Sequence, residues 1–343
     1  MAAITGREII AAFKKATSWR TAVEVGSGDG VLITNEALGD IGRTPIADES
    51  LGVNFITERI DTFYPAPSGT LGANMRYMGL DKLIACGMGS TATPTCISSG
   101  SDKWEHKIRL APNNDGLFGT FVIKKKTDKV WEIPSLKVTG FSFNATVGEI
   151  VTAEFNCTGN KWETESQVNS TDTIANVTYP DRYHCVVFDD NAKIRMNARD
   201  GAALSDSDKI YPHTIRLTFD RPMEENRDAS YNDISEPTGG GFPTATLELT
   251  FDKYSMNDFT TAINSATLQK LDITFTDANS YMFKIEAPSA KIVTATAPVG
   301  GPGKIGHTVT LQLDACVNTP NGMPCTEPFM ITLVNTRSGD ILG

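Results

Sequence analysis

Glu132-Ile133-Pro134-Ser135-Leu136-Lys137-Val138 recurs as Glu286-Ala287-Pro288-Ser289-Ala290-Lys291-Ile292, an offset of 286 − 132 = 154. The surroundings recur with it. An apolar strand pattern precedes each copy, Phe121-Val122-Ile123 or Tyr281 to Ile285. An alternating run, a glycine turn (Gly148; Gly300, Gly301 and Gly303) and a second alternating run follow, ending near Cys157 and Cys316. Shared order around a shared motif marks an internal duplication, and each half reads helix, strand, hairpin, strand, strand.

Outward from the repeat, period-two patterns dominate. Leu136 to Phe143, Ile150 to Phe155, Thr214 to Phe219, Ala245 to Phe251 and Thr308 to Leu313 alternate apolar and polar residues, with Val, Ile, Thr and Phe prominent. That is the signature of half-buried antiparallel strands parted by turn residues. Helical spacing is confined to Arg7–Thr17, Asn74–Ala85 and Asn257–Gln269. Gly159–Tyr179 reads as a polar connector. Glu224–Pro243 reads as a long loop ending in Gly239-Gly240-Gly241. The fold class expected is mainly β: two tandem β-sandwich or rolled-barrel modules, each flanked by a short α-helix, plus an N-terminal arm. The boundaries expected are 1–50 for the arm, 51–160 for the first module, 161–212 for a connector and hairpin, 213–320 for the second module and 321–343 for the tail.

Composition narrows the function. The 343 residues are 40% hydrophobic and 21% charged, an ordinary balance for a folded chain, and the formal net charge is −10. Tight phosphate binding needs clustered Lys and Arg, which only Lys124-Lys125-Lys126 approaches, and that run reads as protection of a strand edge. No run of 18 apolar residues and no secretory pattern appears, so folding in a cytosol is expected. The six cysteines, at 86, 96, 157, 185, 316 and 325, form no C-x-x-C pair and read as free thiols without a metal.

Catalytic chemistry finds little support. Val23-Glu24-Val25-Gly26-Ser27-Gly28-Asp29-Gly30 imitates the nucleotide loop of a methyltransferase. Such a loop needs a strand before it and a helix after it, whereas Val31 to Glu36 carries no capped amphipathic pattern. A hairpin turn explains the glycines better. The four histidines form no ligand cluster, and the carboxylate pairs Asp189-Asp190 and Glu224-Glu225 fall in turns. No catalytic, cofactor or metal residue is therefore expected.

Trp131 to Phe143 followed by Gly148 to Gly159 resembles the central hairpin of the tail tube proteins of long-tailed bacteriophages. Ala192 to Asp208 and Ile215 to Pro222 resemble the second half of the same family. The resemblance spans roughly residues 50 to 320. It implies modules that form rings, with inner strands joining into a lumen-lining barrel, and rings that stack into a tube for the genome. Two modules in one chain imply three chains per pseudo-sixfold ring. The implied partners are further copies of the chain, the tape measure and tail terminator proteins, and viral DNA that passes without specific binding. The implied place is the virion tail, after assembly in the host bacterial cytoplasm.

Within that expectation two residue sets carry function. Ile9, Ile10 and Phe13 form the apolar face of an arm that ties neighbouring chains together. Glu132, Glu149, Glu154, Glu248 and Asp272 supply the negative charge that keeps DNA from sticking to a lumen. Two other readings stay open. One is a β-sandwich decoration, baseplate or adhesion protein. The other is an S-adenosylmethionine-dependent methyltransferase.

Overall fold

Pro134 and Pro288 lie on matching strands of a computed structural model that describes residues 6–39, 41–43, 45–47, 55, 59–125, 129–254, 258–299 and 301–343. The first half contains β1 (Ile10–Ala16), β2 (Asn35–Ala37), β3 (Pro45–Ala47), β4 (Arg59–Asp61), β5 (Ser68–Asn74), α1 (Asp81–Met88), β6 (Gly89–Thr91), β7 (Thr95–Cys96), β8 (Trp104–Leu110), β9 (Phe118–Lys124), β10 (Trp131–Thr146) and β11 (Thr152–Gly159). After α2 (Thr171–Ala175) the second half contains β12 (Lys193–Ala198), β13 (Thr214–Asp220), β14 (Met223–Glu224), β15 (Thr238–Gly239), β16 (Thr244–Phe251), α3 (Asp258–Asn264), β17 (Gln269–Thr276), β18 (Met282–Thr296), β19 (His307–Leu313) and β20 (Met330–Asn335). Sixteen strands share one sheet, whose main path is β2-β5-β11-β10-β13-β16-β19-β18-β20-β8-β6.

The repeat holds down to register. β10 pairs with β11 as Leu136↔Gly159, Lys137↔Thr158 and Val138↔Cys157, then slips by one residue before Gly140↔Asn156. β18 pairs with β19 as Ala290↔Leu313, Lys291↔Gln312 and Ile292↔Leu311, then slips before Thr294↔Thr310. Every partner is displaced by 290 − 136 = 154, bulge included. The second irregularity, where Pro134 and Pro288 interrupt the ladder, also matches: Ile133↔Phe121 and Leu136↔Gly119 correspond to Ala287↔Leu271 and Ala290↔Gln269. Proline has no N–H to give a ladder, so a bulge is where a strand tolerates it. The two prolines therefore occupy equivalent places in equivalent strands.

The other elements correspond as well. β1 borders β9 as β12 borders β17, β5 pairs with β11 as β16 pairs with β19, and β2 pairs with β5 as β13 pairs with β16. The hairpins β3–β4 and β14–β15 match too. The offset falls from 258 − 81 = 177 at the helices to 271 − 121 = 150 at β9 and β17. The difference is β6 to β8, which only the first half carries and which β20 covers through β8.

The expected helix over Arg7–Thr17 is a strand. Ile10–Ala16 pairs antiparallel with Phe118–Lys124. Alanines on both faces hide the period: Ala11 and Phe13 join the main core, while Ala12 packs with Val25, Val122, Val130 and Ile174 under α2. The other two expected helices form over shorter spans: α1 begins only at Asp81, with Asn74 ending β5, and α3 stops at Asn264, with Gln269 opening β17, while Asn257 lies outside the described residues. The connector contains α2, capped by the Ser170 hydroxyl, which accepts from Thr173 N–H at 3.1 Å. β9 is flanked by β1 and β10, so the lysines at its end do not guard a free edge, and Lys126 lies outside the described residues.

Candidate functional site

The sheet segment β11-β10-β13-β16-β19-β18 has two unlike faces. On one face the in-register rows are Phe155–Phe141–Phe219–Ala245–Leu313–Ala290 and Ala153–Phe143–Leu217–Leu247–Leu311–Ile292, all buried. Burying each large side chain of this kind contributes about 1.5–3 kcal/mol, so this face fixes the register. Phe141 is its hub, with ring centroids 5.0 Å from Phe143, 6.2 Å from Phe155, 5.0 Å from Phe219 and 6.3 Å from Phe329.

The opposite face is polar throughout. Its rows read Thr152–Asn144–Arg216–Glu248–Thr310–Thr294, Glu154–Ser142–Thr218–Thr246–Gln312–Lys291, and a row made only of threonine, Thr146–Thr214–Thr250–Thr308–Thr296. Threonine suits a strand and offers a short hydroxyl without charge. Among these rows the charged residues are Glu154, Glu248, Arg216 and Lys291, all exposed. Acid and base alternate along the face, which leaves no cluster on which a phosphate could rest.

The expected charge residues divide. Glu154 and Glu248 stand on the polar face, and Glu149 is exposed in the turn between β10 and β11. Glu132 and Asp272 do not present free charge, because both are buried. Glu132 accepts from the Ser166 hydroxyl at 2.8 Å and from the Asn169 amide, and burial raises its carboxyl above the ordinary range. Asp272 is held by Arg195 Nε at 2.9 Å. The bulges at Pro134 and Thr139 cancel, so Glu132 keeps the face of Ser142 and Asn144, but there it pairs with Val122 beside the small cluster under α2, which covers it.

The expected tie between chains also points inward. Phe13 is 1% exposed in the chain's own core, Ile9 packs against that core, and Ile10 packs against the small cluster beneath α2.

The two halves meet along β10 and β13, in register from Gly140↔Asp220 to Thr146↔Thr214. β13 occupies the side of β10 on which β9 stops at Leu136. The loop between β14 and β15 then folds back onto the first half. The Arg20 guanidinium reaches Asp233 Oδ1 at 2.6 Å, and the Asn160 amide donates to the other oxygen at 3.0 Å. Trp19 Nε1 donates to Ile234 O at 2.9 Å. Lys137, fully buried, donates to Glu236 Oε1 at 2.6 Å and to Pro237 O at 3.0 Å. Arg221, at the end of β13, donates to the carbonyls of Met88, Ala111 and Pro112 and so caps the C-terminus of α1. The long loop expected over Glu224–Pro243 thus docks on the first half of its own chain. The buried Lys137, conspicuous inside an apolar strand, was the available signal that it docks at home.

The glycine run that imitates a nucleotide loop is a turn. Gly28 has φ +79°, Gly26 N–H donates to Asp29 Oδ2 at 3.0 Å, and Lys82 holds Asp29 Oδ1 at 2.6 Å. Val31 N–H returns to Ala11 O at 2.9 Å, with no helix between. Among the described residues no group of three or more His, Cys, Asp or Glu side chains is placed to hold a metal ion, and no helix is long and apolar enough to cross a membrane.

Comparison with known proteins gives a family match over most of the chain: the family described as phage tail tube protein matches residues 7–314. No curated protein matches. Among solved structures, a chain of the anti-feeding prophage baseplate aligns at 11% identity over 39% of this chain and 91% of its own, with a TM-score of 0.28. A chain of a native gene transfer agent virion aligns at 7% identity over 36% and 89%, TM-score 0.25. A chain of the anti-feeding prophage tube-terminating cap aligns at 14% identity over 47% and 94%, TM-score 0.26.

Proposed function

The chain belongs to the phage tail tube protein family, and from that premise we propose that three copies close into a ring of six modules whose polar faces line a conduit for the genome. Membership makes it a structural component of the phage tail. The observation that supports the conduit is the one-sided sheet that crosses the module junction without interruption, apolar behind and threonine-rich in front.

A surface of hydroxyls and amides with separated charges hydrates well and offers DNA neither a basic stripe nor stacking platforms, so the duplex slides without a deep minimum. Glu154 and Glu248, with Glu149 at the rim, are the carboxylates assigned to that surface. We take the modules to be 10–159 and 193–313, the spans over which the pairing registers correspond. Two modules per chain let a heterologous contact close after three chains, since six positions need about 60° each. Rings then stack, with tape measure and terminator proteins as further partners, after assembly in the host cytoplasm. The chain performs no catalysis in this role.

Negative-stain microscopy of the purified protein tests the reading. Ring stacks or hollow tubes are expected. A protein that stays monomeric at every concentration, with no rings, overturns it and favours a decoration or adhesion role.

A further inference from the structure

β10 and β18 are equivalent strands in unequal surroundings. On the side of β10 where β9 ends, β13 continues the sheet. On the matching side of β18, β17 ends at Ala290 and no described strand follows it. The consequence shows in exposure. Ala145 is 3% exposed beside β13, whereas Val299, its counterpart at 145 + 154, is 73% exposed. Val293 is likewise exposed, at 55%.

The strand equivalent to β13 is β2. Both pair with matching strands: Asn35↔Gly72 and Ala37↔Thr70 correspond to Thr214↔Thr250 and Arg216↔Glu248, an offset of 214 − 35 = 179. The lead-in agrees, since Thr34 N–H donates to Gly72 O at 2.7 Å as His213 N–H donates to Thr250 O at 2.7 Å. The far edge of β2 pairs with no described strand. Among the described residues, one chain therefore presents an unpaired copy of each half of its own internal junction.

We propose that the far edge of Glu36–Gly39, which begins in β2, pairs in one copy with Thr296–Val299 of a second copy, repeating between chains the β10–β13 ladder within the chain. This inference rests on the tube reading and names its ring contact. Mapping β10–β13 through the two offsets places Ala37 opposite Pro298 and Glu36 opposite Val299, as Arg216 stands opposite Asn144 and Ile215 opposite Ala145.

Hydrogen-bond parity fits. Val147 N–H donates to His213 O at 3.0 Å, so the odd-numbered residues at this end of β10 address β13. Their counterparts are Ala295, Ala297 and Val299, which leaves the missing N–H of Pro298 on the other side of the strand, where it costs the new ladder nothing. One difference sets the ladder's start. A Cβ on Gly140 would lie 2.6 Å from Phe219 O, and its counterpart is Thr294, so the paired segment begins beyond Thr294.

Asn144↔Arg216 is by the same parity a pair whose backbone groups point away from each other, the close kind, with Cα atoms about 4.5 Å apart. That spacing admits a disulfide. The test is Ala37→Cys with Pro298→Cys in one chain, in a Cys96→Ser background, oxidised after assembly and run without reductant. Asn144→Cys with Arg216→Cys is the control, which closes within one chain. The expected result is covalent dimers and trimers, with a 37–298 disulfide identified by peptide mass. If the control closes and tubes are seen but no 37–298 link forms, the contact lies elsewhere and this proposal falls while the tube reading survives. If the link forms in rings that never stack into tubes, the contact stands and the conduit reading falls. If the control closes and neither link nor ring appears, both fall.

Discussion

Lys137 and Lys291 hold the same place in the repeat and live in different worlds. Lys137 is fully buried, closed over by the loop that carries Glu236 and Pro237. Lys291 is exposed. Phe141 and Phe143, deep in the junction core, correspond to Ala295 and Ala297, which are only partly covered. The sequence of a module does not decide whether its edge is finished; the neighbouring module does. The first module has its neighbour in the same chain, and the second waits for one.

The largest effect expected from this contrast is in the junction core. Phe141→Ala should cost about 3–5 kcal/mol of unfolding free energy, because it removes the ring at the centre of four aromatic contacts. Ala295→Ser in the unassembled chain should change stability by less than about 0.5 kcal/mol. Denaturant melts of the two variants below the assembly concentration check this. Equal losses would erase the distinction between the edges.

Next comes the lysine pair. Lys137→Ala should cost about 3–4 kcal/mol, the lower part of the range for breaking a buried pair, since Glu236 retains some solvent. Lys291→Ala should be close to neutral in the free chain, within about 0.5 kcal/mol. Thermal unfolding of both proteins gives the answer, and a large loss at Lys291 would show that it is already engaged.

The smallest effect concerns Glu132 and its counterpart Glu286. Glu286 has Lys284 beside it, whereas among the described residues the side-chain donors to Glu132 are the neutral Ser166 and Asn169. Burial raises the Glu132 carboxyl above its ordinary 4.5. A carboxyl raised on folding contributes stability that is complete below 4.5 and is lost as pH rises through the raised value. Glu132→Gln should remove that loss, so the variant gains stability over the parent at pH 8 relative to pH 5. Glu286→Gln should instead destabilise, because it leaves Lys284 with only the longer ion pair to Asp272, at 3.7 Å, among the described residues. Melting temperatures of the three proteins at the two pH values separate these outcomes.

Much of this architecture is legible from residues alone, and the reasons are physical. The repeat survives because Pro134 and Pro288 force a bulge, which preserves the motif on both strands. β11, β13, β16 and β19 are legible because one face is apolar and the other threonine-rich. β1 misleads because Ala11 and Ala12 face different cores, which blurs a period of two into one of 3.6. Glu132 misleads because the segment carrying Ser166, Asn169 and α2 covers its end of the polar face, which no strand pattern reveals. The β10–β13 junction marks the side chains only where Gly140, Phe141 and Phe143 stand for Thr294, Ala295 and Ala297, and its pairing is hidden because strand edges join through backbone groups that every sequence carries. Only the partial signal of a lysine in an apolar strand, Lys137, betrays the loop that covers it.

The central claim is that the chain carries two tube modules and repeats its internal junction between copies. Image reconstruction of the assembled protein at side-chain resolution tests it most directly. The account predicts rings of three chains, six module positions around the axis, the threonine rows facing the lumen, and Glu36–Gly39 of each chain beside Thr296–Val299 of the next. Rings of six chains, or a lumen lined by the other surface of the sheet, would contradict it.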